Sequence, residues 1–299
     1  MKICLIGETG LLGQALRKTL DHDGNSLTCV SRNSTDVALD LRDDQGLISF
    51  FEGSFFDIVI NTAAIVDHDY CERYPAEAYL VNSRPSSLIS EMSLKKGFKY
   101  IYISTDGYFT GNSQRKHTEE EKVVLLNEYA RSKFLGEVLT LENPDNVVLR
   151  TNIIGFKGTG KKTYFEWLIS SLENGEHLTL FPDYFTSSLS VGLFADVINK
   201  ILTKPLNPKF RGIFNLASSD VFSKKDFALE VSKFFFGKEL KNYSDGSVKD
   251  LNSIRAESLG LETSKFSELF DIQLPSMMEV IEDLKKEWKN VSLIFYLLH

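Results

Sequence analysis

Lys2-Ile3-Cys4-Leu5-Ile6-Gly7-Glu8-Thr9-Gly10-Leu11-Leu12-Gly13 decides the fold. An apolar run of strand length enters three glycines spaced three apart, and Leu11–Asp21 then repeats apolar residues with helical period. Outward from this stretch, Ser26–Val30, Asp57–Asn61, Lys99–Ser104 and Asn146–Arg150 read as further strands. Between them Ala76–Lys95, with Ala78, Val81 and Leu88 on one face, and Glu128–Leu141 read as helices. Strands alternating with helices predict an α/β fold whose parallel sheet is covered on both sides.

In such a doubly wound, Rossmann-type sheet, ligands bind at the carboxyl ends of the strands, where Gly7, Ser31, Asn61, Ser104 and Arg150 fall. After Arg150 the rhythm loosens. Tyr164–Asn174, Val191–Leu202 and Lys224–Phe236 read as helices and Ile213–Leu216 as a strand. Asn242–Leu259 is polar and irregular, and Pro275–Lys289 reads as a last amphipathic helix. The expected division is a dinucleotide-binding domain over 1–155 and a smaller C-terminal α+β substrate region over 156–290. Some elements of the latter are expected to return to the main sheet. An apolar tail, 291–299, is read as packing on the body or on a second subunit, which makes a homodimer an expected assembly.

Composition narrows the function classes. The chain has 299 residues, 42% hydrophobic and 25% charged, as ordinary globular proteins do. A net charge of −7, a pI near 5.4 and no basic stripe argue against nucleic-acid binding. Cys4, Cys29 and Cys71 lack metal-ligand spacing and are odd in number, which fits a reducing cytoplasm. The first apolar run is too short for a signal-peptide core, and no stretch approaches the roughly 20 apolar residues of a membrane span. A cytoplasmic location is therefore expected.

The glycine loop lies between a strand and a helix, the context in which it cradles a pyrophosphate on the helix N-terminus. Gly7, Thr9, Gly10, Leu11, Leu12 and Gly13 are the candidates for that turn. At the end of the second strand the chain reads Val30-Ser31-Arg32-Asn33, without the carboxylate that holds an NAD ribose. Arg32 can grip a 2′-phosphate, so NADPH is expected, with NADH as the alternative. Asp40 and Leu41 are placed at the adenine site, and Ala63 and Ala64, in Asn61-Thr62-Ala63-Ala64, beside the nicotinamide arm.

Tyr129-Ala130-Arg131-Ser132-Lys133 puts a phenol and an ammonium one helical turn apart on one face. The ammonium is expected to favour the phenolate and to hold the nicotinamide ribose. Thr105, with Ser104 as the alternative, is expected to bond the substrate carbonyl oxygen while Tyr129 protonates it. Thr105, Tyr129 and Lys133 are thus the candidate catalytic set. Asp67-His68-Asp69-Tyr70-Cys71-Glu72 resembles a metal cluster by composition only, so no metal site is expected, and Glu119-Glu120-Glu121-Lys122 reads as a solvated turn.

The glycine loop, Asn61-Thr62-Ala63-Ala64, Val81-Asn82, Ser104-Thr105-Asp106 and the Tyr129/Lys133 pair together resemble the extended short-chain dehydrogenases/reductases. Within that superfamily the chain is most similar to the dTDP-4-dehydrorhamnose reductases, RmlD-like sugar-nucleotide-binding proteins. Asn127 through Glu137, Leu149-Arg150-Thr151, Arg255 through Lys265 and Leu274-Pro275 carry that similarity. It implies NAD(P)H-dependent reduction of a nucleotide-linked 4-keto-6-deoxy sugar in dTDP-rhamnose and cell-surface polysaccharide synthesis. It also implies substrate contacts from Thr105, Asn152 and Arg255, the last toward the nucleotide diphosphate. Three segments depart from the family pattern: Gly107-Tyr108 after Asp106, Asn152-Ile153 in place of Ser-Trp, and Asp183–Leu189. All face the substrate by analogy, so the chemistry is better supported than the sugar. An epimerase or dehydratase on the same scaffold and a non-catalytic NADP-binding regulatory subunit are the alternatives. Gly107 removes the acid pair a dehydratase uses.

Overall fold

In Lys2–Ile6, Ile3 and Leu5 face one side of a sheet and Cys4 and Ile6 the other, and all four are buried. That is the strand periodicity of a sheet covered on both faces. The computed structural model describes residues 1–297 apart from 23, 112–113, 159 and 204, with backbone alone over 290–297. Its main sheet has seven strands in the order Gly212–Asn215, Val147–Arg150, Lys99–Ile103, Ile58–Asn61, Lys2–Ile6, Ser26–Ser31, Val37–Ala38. Every pairing in it is parallel. The chain winds outward from Lys2–Ile6 to Val37–Ala38, then crosses back to Ile58–Asn61 on the other side. The crevice at that reversal is where such sheets bind ligands.

One face buries Ile60, Ile101 and Leu149 with Phe165 and Phe194 of the helices Tyr164–Asn174 and Val191–Leu202. The opposite face buries Val59, Tyr100 and Tyr102 against Phe51 and Met92. A mixed four-stranded sheet joins Phe222–Ser223, Phe185–Thr186, Ser258–Leu261 and Lys116–His117 beyond the carboxyl edge elements. Lys116–His117 comes from before residue 155, and Gly212–Asn215 extends the main sheet from after it.

Three element expectations need correction. The helix expected over Ala76–Lys95 is two helices, Pro75–Asn82 and Arg84–Lys96, broken at Ser83. Pro85 has no N–H for the Val81 carbonyl and disfavours helical backbone before it. The break is used: the Asn82 carbonyl accepts from the Tyr102 hydroxyl at 2.6 Å, and Ser83 Oγ donates to the Ser132 carbonyl at 2.7 Å. The last helix does not stop at Lys289 but runs Met277–Leu297, with no Gly or Pro to end it. Side chains of the expected apolar tail lie outside the described residues. Asn242–Leu259, expected to be irregular, contains the strand Tyr243–Asp245, paired with Leu178–Leu180. No helix among the described residues is long and apolar enough to cross a membrane.

Candidate active site

Gly7 adopts φ +87°, and a Cβ there would lie 2.7 Å from Ala63 N and 2.8 Å from Thr62 Oγ1. Only glycine meets both demands. A Cβ on Gly13 would lie 2.1 Å from the Gly7 carbonyl, so the first helix starts directly on the loop. That helix, Leu11–Leu20, has no side-chain cap and no acid in its first turn. Its N–H groups and positive dipole end are left for an anion.

A groove of about 540 Å³ opens over this turn. Gly7, Thr9 and Gly10 form its floor, Ser31, Arg32, Asp40 and Leu41 one end, and Ala63 and Ala64 the other. Leu11 and Leu12 are outside it: their side chains pack in the apolar core, Leu12 fully buried, leaving only backbone N–H groups for a pyrophosphate. Gly13 acts beneath the loop as a spacer. Asp40 lies in the groove, but Arg42 grips its carboxylate at 2.6–3.2 Å. That hydrogen bonding holds Asp40 down to about 2. Asn61 shapes the far wall: Oδ1 accepts from Ala63 N at 3.0 Å, and Nδ2 donates to Tyr100 Oη at 3.2 Å.

Asn127 starts the next functional helix, Glu128–Thr140, by accepting from Ala130 N at 2.8 Å. Gly136 lets this helix close on the sheet, since a Cβ there would meet Tyr102 Oη at 2.3 Å. The next residue, Glu137, forks onto Arg150 with contacts of 2.7, 3.0 and 3.2 Å, both residues buried. Ser104 Oγ donates to Glu137 Oε1 at 2.5 Å and lies 3.1 Å from Tyr108 Oη. Arg150 and Ser104 are therefore committed to the scaffold, and Ser104 is not free to replace Thr105.

The helix projects Tyr129 and Lys133 toward the strand end Lys99–Ile103. Lys133 Nζ donates to the Ile103 carbonyl at 2.7 Å and sits 4.0 Å from the Tyr102 ring centre. Burial lowers its pKa to about 7. Burial raises the Tyr129 phenol; a hydrogen bond with Thr105 works against that, and Asp106, Cys71 and Tyr184 add to it. Burial, rather than a neighbouring charge, is the largest influence on the phenol. Desolvation dominates both groups, and Tyr129 is held as the neutral acid.

Beside the phenol is a cavity of about 110 Å³, which gathers Thr105, Tyr129, Asn152 and Arg255. Val66 borders both this cavity and the glycine-loop groove. Gly107 N donates to Thr105 Oγ1 at 3.1 Å, and the hydroxyl donates to Asp106 Oδ1 at 3.4 Å, a long bond that a carbonyl oxygen in the cavity can take over. Ser188 Oγ donates to Asn152 Oδ1 at 2.6 Å, so the departure at Asp183–Leu189 holds the departure at Asn152. Arg255 Nε is buried and has no hydrogen-bond partner among the described residues.

Sequence reasoning missed Asp106, His68, Tyr184 and Lys224. Asp106 lines the cavity almost fully buried, with Oδ2 unpartnered among the described residues. Burial raises it to about 7 against the opposing pull of Lys224. Lys224, 4.5 Å from the Tyr164 ring centre, is itself lowered to about 8 by burial. Tyr184 adds a second phenol to the cavity beside Tyr129, while Tyr108 is fully buried in the scaffold. His68 packs its ring 4.7 Å from that of Tyr129 and is lowered to about 4 by burial, then by Arg255. Its neighbour Asp67 caps the helix His68–Arg73. Among the described residues no three His, Cys, Asp or Glu converge as a metal site. Glu119 is no solvated turn residue, because its buried carboxylate accepts from Asn215 N at 2.8 Å. The sequence signals for this group were adjacency to Thr105 for Asp106, the polar run Asp67–Glu72 for His68 and the departing segment for Tyr184.

A family model described as the RmlD substrate binding domain matches residues 1–289. The dTDP-4-dehydrorhamnose reductase of Escherichia coli K12 is 26% identical over 96% of this chain and 98% of its own length. The spore coat polysaccharide biosynthesis protein SpsK of Bacillus subtilis is 26% identical over 77% of this chain and 78% of its own. Among solved structures, the dTDP-4-dehydrorhamnose reductase of Bacillus anthracis in complex with NADP superposes with TM-score 0.84. It is 21% identical and covers 96% of this chain and 99% of that one.

Proposed function

The chain belongs to the RmlD substrate binding domain family, and we propose that it is an NADPH-dependent reductase of a nucleotide-linked 4-keto-6-deoxy sugar. The observation that carries this reading is the meeting, at Val66, of a dinucleotide-sized groove with a cavity holding Thr105 and a neutral Tyr129. The groove fits the cofactor. Gly7 admits close backbone approach, the first helix offers unpaired N–H groups, and Arg32 supplies a cation at the adenosine end. Bound there, the dihydronicotinamide supplies the hydride.

The protein's own residues do the rest. Thr105 donates a hydrogen bond to the carbonyl oxygen as negative charge develops on it. Tyr129 gives its proton to that oxygen, a task suited to a phenol held protonated by burial. Lys133, anchored on the Ile103 carbonyl, would hold the nicotinamide ribose and share its charge with the phenolate left behind. Asn152 and Arg255 orient the sugar and the diphosphate. The polysaccharide-linked names of the relatives support a place in cytoplasmic synthesis of surface glycans.

The test is NADPH oxidation, followed by absorbance, with a panel of nucleotide-linked 4-keto-6-deoxy hexoses. Turnover of at least one is expected. Tight NADPH binding without turnover of any would replace this reading with a regulatory subunit.

A further inference from the structure

Asp106 is the one carboxylate among the described residues that line the cavity beside Tyr129, and the proposed reduction gives it no task. It is 2% exposed, and its Oδ2 has no hydrogen-bond partner among the described residues. Its Oδ1 accepts from the Thr105 hydroxyl at 3.4 Å. Thr105 and Tyr129, on the same wall, receive the carbonyl oxygen in the proposed reduction. A ketone that takes over the Thr105 hydroxyl removes that bond from Asp106, and a carboxylate relieved of a hydrogen bond is a stronger base.

A ketone held in this way is open to a second reaction. The hydrogens on the carbons flanking a carbonyl are acidic, because the electron pair left behind can pass onto the oxygen as an enolate. Two donors aimed at that oxygen stabilise the enolate as they stabilise the charge developing during reduction. The remaining requirement is a base with a free lone pair in the same cavity, poised near neutral pH. Burial raises Asp106 to about 7 against the pull of Lys224, which puts it in that range. His68 is the other candidate on the wall, but its Nδ1 accepts from the Asn127 amide at 3.3 Å and burial lowers it to about 4. Tyr184 is a phenol that burial keeps protonated.

We infer that Asp106 is a general base toward the C–H bond beside the keto carbon, so that the protein enolises its keto sugar as well as reducing it. Asp106 takes the proton, the C–H pair becomes the C=C bond, and the carbonyl π pair moves onto the oxygen held by Thr105 and Tyr129. The Asp106 carboxyl trades its proton with water and returns one to the carbon. The ketone is restored with a solvent hydrogen in place, and no oxidant or reductant is consumed. This rests on the cavity being the keto-sugar site of the proposed reductase.

The experiment is proton NMR in heavy water of a nucleotide-linked 4-keto-6-deoxy hexose with the protein and NADP⁺, which has no hydride to give. Loss of signal from the hydrogens flanking the carbonyl reports exchange; the same ketone with NADPH reports reduction. The wild type speeds exchange at least about 10²-fold over the protein-free rate, the lower end of general-base catalysis. Asp106→Asn returns exchange to the protein-free rate while NADPH oxidation falls by less than about tenfold. Asp106→Ala gives a second reading should the amide prove unstable in the buried site. An equal fall in both rates makes Asp106 a holder of the sugar and overturns the inference. Reduction by the wild type without exchange above the protein-free rate overturns it and leaves the reductase intact. Exchange without NADPH oxidation supports the role of Asp106 and overturns the reductase instead. Neither exchange nor reduction of any ketone in the panel overturns both.

Discussion

Glu137→Gln strikes the joint that holds the Tyr129 helix on the sheet. Glu137 is 1% and Arg150 2% exposed, and three contacts of 2.7–3.2 Å join them. The amide keeps the shape but removes the countercharge, which leaves the guanidinium buried and unneutralised. Breaking a buried pair from one side costs about 3–5 kcal/mol. Ser104 also loses an ionised acceptor at 2.5 Å, so the upper half of that range is expected. With unfolding entropy near 2.1 cal/mol/K per residue, 299 residues give about 0.6 kcal/mol per degree. The melting midpoint then falls by about 6–8 °C. Urea unfolding at constant slope measures the free energy directly. The double variant Glu137→Leu/Arg150→Met, with both charges gone, recovers most of the loss. A loss under about 1 kcal/mol in Glu137→Gln would refute the claim that this pair is desolvated and mutually dependent.

Other expectations follow from the same geometry. Asp106 is raised to about 7 by burial, so the folded protein binds the extra proton and stability falls as pH rises from about 4 to 7. Asp106→Asn removes that slope, which urea titrations at pH 5 and 8 resolve; an unaltered slope contradicts the assignment. Lys133 is lowered to about 7, so the unfolded chain holds the extra proton between about 7 and 10.5, and stability rises with pH there. Lys133→Met flattens that rise and lowers kcat by about 10²–10⁴-fold; retention of both would remove Lys133 from the site. Gly7→Ala forces a Cβ to within 2.7 Å of Ala63 N at φ +87°. It should weaken dinucleotide binding more than tenfold while leaving the circular dichroism of the fold in place; normal binding would show that the loop relaxes at no cost.

The parallel sheet was legible because its strands are short apolar runs separated by helical periods, a local pattern that needs no knowledge of contacts. Tyr164–Asn174, Val191–Leu202 and Lys224–Phe236 begin and end as expected, each between a Ser or Thr cap and a stop signal or change of pattern. Ser83 was missed because apolar spacing outweighed the one contrary signal, Pro85. The groove was legible for a similar reason: glycine spacing encodes backbone geometry. The cavity was less so, because Asp106, Tyr184 and Arg255 come from three separate segments and meet only in the folded chain. Glu8 is the sharpest case. The sequence marks it only as an intervening residue of the loop, and only the hydrogen bond its carboxylate accepts from Ser31 Oγ shows that the loop is tied to the end of Ser26–Ser31.

Tyr129→Phe tests the central claim most directly. The substitution removes one oxygen from a buried ring and leaves the helix cap at Asn127 and the Lys133 anchor untouched. With a turned-over 4-keto sugar nucleotide, single-turnover NADPH oxidation should fall by about 10²–10⁴-fold while the Kd for NADPH stays within about twofold. Oxidation at the wild-type rate would contradict the assignment of Tyr129 as the proton donor.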